Sequence, residues 1–162
     1  MEAHIISATT ARNTLLCLLA ALGIGALFGG GVFIISPSGK LFGMPLALLK
    51  HSPFPDFLIP GLILFFLLGL FPVLLVFALL TRWECEVAEK FNVFSDMHWT
   101  WSYTVYFAFL LIAWIQVEVF FIQAIHWSHA LYMFWAMAII YVALLPQIRT
   151  RYQVKHNHTV KK

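Results

Sequence analysis

The sequence predicts an all-α membrane protein: a four-helix bundle with an outer-side loop that carries a short interfacial helix. Three observations lead there. Of 162 residues, 62% are hydrophobic and only 10% are Asp, Glu, Lys or Arg, against roughly 25% charged in an ordinary soluble domain. Mean hydropathy is +0.87. Four segments also hold the ~20 apolar residues that a helix needs to cross about 30 Å of hydrocarbon. A soluble domain of this size buries only about two-thirds of the surface its chain exposes. The composition therefore excludes a soluble monomer, a disordered chain and a nucleic-acid-binding domain. A single integral membrane domain over 1–162 is expected, with the lipid bilayer as its first partner.

The spans are expected at 13–35, 57–80, 103–125 and 130–147, followed by a basic tail over 148–162. The first is longer than the roughly 7–15 apolar residues of a signal-peptide core and no small-residue cleavage site follows it, so it reads as a retained anchor. Within it Gly25 and Gly29 stand four apart, the spacing that lets helix backbones approach closely. A helix face bare of side chains could equally line a cleft. Orientation follows from basic residues near the span ends. With the N-terminus inside, Arg12, Arg82, Lys90, Arg149, Arg151, Lys155, Lys161 and Lys162 are cytoplasmic, and only Lys40 and Lys50 are outside. Both termini are expected in the cytoplasm. The tail reads as a frayed segment on the membrane surface, drawn to anionic head groups. Cys17 and Cys85 are too few and too scattered for a disulfide framework.

The outer loop over 36–56 opens on Ser36-Pro37-Ser38-Gly39, which is turn chemistry. A short interfacial helix is expected over 44–50, with Pro45 tolerated in its first turn. Pro53 and Pro55 impose an extended stretch. Asp56 then caps the second span, and Pro60 falls in its first turn. This loop reads either as an ordered lid or as a plain connector. Pro72 lies mid-span, where it removes a backbone hydrogen bond and predicts a kink, with Gly69 one turn earlier. The inner loop over 81–98 is expected to extend the second span as a helix and then turn. Trp83, Trp99, Trp101, Tyr103 and Trp127 read as interfacial anchors. The link over 126–129 is so short that spans three and four must form a tight antiparallel hairpin.

Glu118 is the residue the sequence singles out for chemistry. It lies mid-span, about 12 Å below the outer end at 1.5 Å per residue. A carboxylate at that depth costs several kcal/mol unless it turns inward. No Lys or Arg shares its depth, so it is expected to keep its proton. Candidate partners are Tyr132 or Trp135 across the hairpin and Gln116 or Gln123 nearby, with Trp114 one turn below on the same face. The candidate ligand-binding set is Glu118, Trp114, Gln116, Trp135 and Tyr132. His51, His126 and His129 fall on the outer side with Asp56, and the three-residue spacing of His126 and His129 can put two imidazoles on one helix face; the other ligands of a zinc or haem site would have to be drawn from separate loops. Neither a metal nor a cofactor is expected, and no catalytic residue can be named.

The runs Ser36-Pro37-Ser38-Gly39, Gly43-Met44-Pro45-Leu46 and Ser52-Pro53-Phe54-Pro55-Asp56-Phe57-Leu58-Ile59-Pro60-Gly61 resemble a pattern shared by small four-span membrane proteins of bacteria. The resemblance covers most of the chain and concentrates in 29–70. In architecture the chain is also similar to DoxX-like proteins. These likenesses imply a bacterial inner-membrane location and bring no catalytic residues. The residues favour a binding or accessory subunit over an enzyme, with an intramembrane cavity near Glu118 suited to a lipophilic ligand. Its rivals are a membrane enzyme on a lipophilic substrate, a small oligomeric transporter, and a structural partner in a homo-oligomer or larger complex. An enzyme would need a second titratable group beside Glu118. A transporter with four spans and no internal repeat would need a dimer.

Overall fold

The computed structural model describes residues 7–154. Six helices are present among them: α1 (Ala8–Ile35), α2 (Leu58–Thr81), α3 (Glu86–Lys90), α4 (Trp99–Ile122), α5 (Trp127–Leu144) and α6 (Pro146–Tyr152). The helices α1, α2, α4 and α5 are long and apolar enough to cross a membrane, so this is a small membrane protein with an all-α bundle. Each long helix packs on two neighbours, in the order α1, α2, α4, α5 around the bundle. The axis is filled by Leu15, Leu19, Phe107, Ala108, Ala136 and Ile139, none more than 1% exposed. Phe28, Phe109, Phe120 and Phe134 point outward, each more than half exposed. A helix apolar all round is buried in protein on one side and in lipid on the other.

Element boundaries differ from the sequence expectation for identifiable reasons. α1 begins five residues before 13 because the Ser7 side chain accepts from the Thr10 amide at 3.1 Å. α4 begins at Trp99 and not at 103, capped by His98. Trp99 and Trp101 are therefore buried residues of its first turn, not interfacial anchors. Trp101 Nε1 donates to the Ala143 carbonyl at 2.7 Å and Trp99 Nε1 to the Trp83 carbonyl at 2.7 Å. Trp83 and Trp127 do stand exposed. The inner loop does not prolong α2, because Arg82 adopts a left-handed φ of 51°. That residue ends the helix, and α3 follows as a separate turn. The expected interfacial helix over 44–50 is a single tight 3₁₀ turn, Leu46–Leu49. Cys17 and Cys85 are free.

The disruption expected at Pro72 takes the form of a π-helical stretch over Leu64–Leu70. Proline has no amide to give to the residue four back, and its ring crowds that carbonyl. The preceding turns widen to i→i+5 bonding, with the Phe71 amide donating to the Phe66 carbonyl.

Close approach of α1 and α2 runs through different glycines from those the spacing suggested. A Cβ on Gly30 would lie 2.6 Å from the Phe65 amide nitrogen and 2.7 Å from the Gly61 carbonyl oxygen. One on Gly23 would lie 2.8 Å from Val73 and 3.0 Å from the Gly69 carbonyl oxygen. Gly25 has nothing within 4 Å, and Gly29 only Leu64 at 3.4 Å.

The start of the tail is folded, contrary to the expected fraying. Ile148 and Tyr152 of α6 are buried. The Tyr152 hydroxyl donates to the Leu79 carbonyl at 3.1 Å. The His98 amide donates to the Tyr152 carbonyl at 2.7 Å, and the Val154 amide to the Asp96 carbonyl at 2.9 Å. An isolated antiparallel bridge joins Met97 and Gln153. The rest of the expected tail, 155–162, lies outside the described residues.

His98 couples this junction to pH. Its Nδ1 lies 2.8 Å from Thr100 Oγ1 and faces the Thr100 amide at 3.4 Å. Burial lowers its pKa from the ordinary 6.5; Glu89 and Glu84 oppose this and Arg82 adds to it. A base held below its unfolded pKa binds fewer protons when folded. Its contribution is therefore whole above 6.5 and is lost as pH falls from there through the folded value. Thermal unfolding followed from about pH 8 to about pH 5 is expected to show lower stability on the acid side. His98→Asn, which keeps a capping side chain, should flatten that slope. An equal slope in the variant would assign the effect to another group.

Candidate functional site

The site is built where α4 faces α1, α2 and the loop over 36–57. Glu118 and Trp114 are one helical turn apart on α4, a spacing that places both on one face. Trp114 Nε1 donates to Glu118 Oε1 at 2.8 Å. Glu118 is half-buried. A carboxyl group has more hydrogen-bonding capacity than one indole can use. Among the described residues no other group bonds to this one.

Two cavities meet at this pair, sharing Leu64, Trp114 and Glu118 in their walls. The one nearer the loop has a volume of about 80 Å³. Loop residues Met44, Leu49, Ser52, Phe54 and Phe57 form one side of it, and Phe121 and Ile122 of α4 another. The deeper one has a volume of about 150 Å³ and runs along Gly25 and Gly29 of α1 to Tyr132 of α5. Both are mostly apolar, and among the described residues Glu118 is the one acidic side chain in either wall. Each has room for more than one water molecule or for part of an acyl chain.

The loop is held over the first cavity by its own chemistry. Gly39, at φ 73°, lets the chain turn back so that the Met44 amide reaches the Gly39 carbonyl at 3.0 Å. A Cβ there would lie 2.9 Å from the Phe57 ring. The Phe57 amide donates to the Pro37 carbonyl at 2.9 Å, which closes the loop at its base. Ser52 Oγ donates to the Leu49 carbonyl at 2.9 Å, and Phe54 meets Phe121 edge-on at 6.0 Å. Asp56 Oδ1 accepts from the Leu58 amide at 2.9 Å, so it serves the first turn of α2. Of the two readings of this loop, the ordered cover describes its geometry.

Of the five residues proposed from sequence, Glu118, Trp114 and Tyr132 come together around the cavities. Trp135 does not join them: its Nε1 donates to the Leu18 carbonyl of α1 at 3.1 Å, and it borders a groove on the outside of α1. Gln116 is exposed on the outer face of α4, its Nε2 3.8 Å from Met133 Sδ. Gln123 caps the end of α4, donating to the Phe120 carbonyl at 2.6 Å. The residues that sequence reasoning missed are Leu49, Phe54 and Phe57. Large apolar side chains within a turn-rich loop were the available signal, but they fit a membrane anchor equally well.

Among the described residues no three His, Cys, Asp or Glu side chains are grouped to hold a metal ion. His126 and His129 serve the start of α5, where the His126 amide donates to His129 Nδ1 at 3.1 Å. Among the described residues no histidine lines either cavity at Glu118. No family model, curated protein or solved structure matches the chain.

Proposed function

We propose that this protein is a small polytopic binding or accessory subunit that holds a lipophilic ligand between its helices, with its polar end at Glu118. The observation that carries this reading is the position of the Trp114–Glu118 pair in the wall common to two apolar cavities, beneath an ordered loop. Ligand sites are mostly apolar, with a few placed polar groups that fix orientation. Here the carboxyl group is the orienting group, and Gly25 and Gly29 leave backbone bare where a chain can lie. The excess of basic residues on the terminal side supports an orientation with both termini in the cytoplasm, in a bacterial inner membrane. Among the described residues only Tyr132 joins Glu118 as a titratable side chain in the cavity walls, which favours binding over proton-transfer chemistry.

A long-chain alcohol carrying a diazirine is the probe of choice, used on the full chain in lipid nanodiscs. Illumination is expected to label the loop over 44–57 and α4 around Glu118. Glu118→Leu, which keeps an apolar wall but removes the polar handle, should lower that labelling about fivefold, the scale of one hydrogen bond of about 1 kcal/mol. Labelling spread evenly over outward residues such as Phe109 and Phe134, and unchanged in the variant, would defeat the proposal.

A further inference from the structure

The wall shared by the two cavities holds one carboxyl group whose oxygens are unequally used. The Trp114 indole donates to Glu118 Oε1 at 2.8 Å, and an indole has a donor only. Oε1 is therefore an acceptor, and among the described residues no group bonds to Oε2. Ser52, in the loop-side wall, is taken up within the loop: its Oγ donates to the Leu49 carbonyl at 2.9 Å and accepts from the Phe54 amide at 3.2 Å. Among the described residues neither wall contains Lys, Arg or His. The loop-side wall is largely aromatic, with Phe33, Phe54, Phe57 and Phe121 beside Trp114.

These groups select among polar ends. A charge held away from water is tolerated only when paired, and the protein places no cation beside this carboxyl group. A ligand with an acid or phosphate end would bring a second negative charge to it. An alcohol brings one donor and no charge. A primary ammonium supplies the missing charge, and its three N–H donors face an acceptor-only carboxylate. Aromatic walls also accommodate a cation better than aliphatic ones, because ring faces carry negative charge. An ammonium group is about the size of a water molecule, which the cavity of about 80 Å³ admits. We infer that the ligand is a long-chain primary amine, its ammonium paired with Glu118 beside Trp114 and its chain laid along Gly25 and Gly29 in the deeper cavity. This rests on the lipophilic ligand proposed above and assigns its headgroup.

The full chain in phosphatidylcholine nanodiscs is labelled with the diazirine alcohol, and dodecylamine, dodecanol, dodecanoic acid and dodecyltrimethylammonium compete at equal mole fraction in the membrane. Dodecylamine is expected to displace the label at about one-tenth of the mole fraction that dodecanol needs, the scale of a charge-assisted over a neutral hydrogen bond. The acid and the trimethylammonium compound should compete more weakly than the amine. Glu118→Gln keeps the size of the side chain and removes its charge; there amine and alcohol should compete within about twofold of each other. The wild-type ranking decides alone if that variant fails to fold. Label on the loop and α4 that amine and alcohol displace equally would overturn the amine and leave the lipophilic site standing. Trimethylammonium as effective as the primary amine would overturn it too, since it carries the charge without an N–H donor. An amine advantage that persists in Glu118→Gln would overturn the pairing. Label spread evenly over outward residues such as Phe109 and Phe134 would overturn amine and site together.

Discussion

Gly30→Val is expected to separate α1 from α2 and to give the largest loss of stability of any single substitution in the spans. The added Cβ would meet the Phe65 amide nitrogen at 2.6 Å, the Gly61 carbonyl oxygen at 2.7 Å and Phe65 Cα at 2.8 Å. All three are backbone atoms, so no rotamer change relieves the clash. Gly30→Ala alone should cost about 1–3 kcal/mol, the usual range for overpacking, and the two extra methyls of valine more. In a bilayer, helices gain little by hiding apolar surface from one another, and close backbone approach supplies much of what holds them together. The comparison is Gly25→Ala, where nothing lies within 4 Å and a change within about 0.5 kcal/mol is expected. Unfolding in mixed detergent micelles measures both. Equal effects at the two glycines would refute this account of the α1–α2 contact.

The second large effect is expected from Tyr152→Ala. This ring is only 3% exposed; its hydroxyl ties α6 to Leu79 of α2, and Arg82 lies across its face. It lies beyond the membrane-spanning segments, where water is the alternative environment and burial of apolar surface counts in full. Loss of a buried aromatic side chain costs about 3–5 kcal/mol. Tyr152→Phe removes the hydroxyl alone and should cost about 1 kcal/mol. Proteolysis of the 145–154 segment in the folded protein gives a local readout: cleavage is expected to be much faster in Tyr152→Ala and nearly unchanged in Tyr152→Phe. Equal protection in Tyr152→Ala would mean that α6 is held by other contacts.

These two cases show where the sequence was legible. Hydropathy reads off the four spans because crossing hydrocarbon demands a long apolar run, and that demand is one-dimensional. Proline and glycine chemistry located the turn at 36–39, the capping role of Asp56 and the disturbance around Pro72. Rotation of a helix about its own axis is another matter. α1 is apolar on every side, so nothing in its pattern distinguishes Gly23 and Gly30, which touch α2, from Gly25 and Gly29, which border a cavity. The same blindness misplaced Trp135, whose depth suits Glu118 but whose face meets α1. Trp114 was legible as a neighbour of Glu118 because an i, i+4 relation is fixed by the helix itself. Charges dominate the composition of the tail and so predict fraying, while two buried residues, Ile148 and Tyr152, anchor it.

The widened stretch before Pro72 bears on the glycines as well. On α1, Gly23 and Gly30 are seven residues apart and fall nearly in line at 3.6 residues per turn. Their counterparts on α2, Gly61 and Gly69, are eight apart and would stand about 80° out of line in an unbroken α-helix. The i→i+5 segment over Leu64–Leu70 takes up most of that angle, because it turns less per residue. Two rulers of unequal pitch are thereby made to read the same marks, and the second helix carries its spare residue as a vernier against the first.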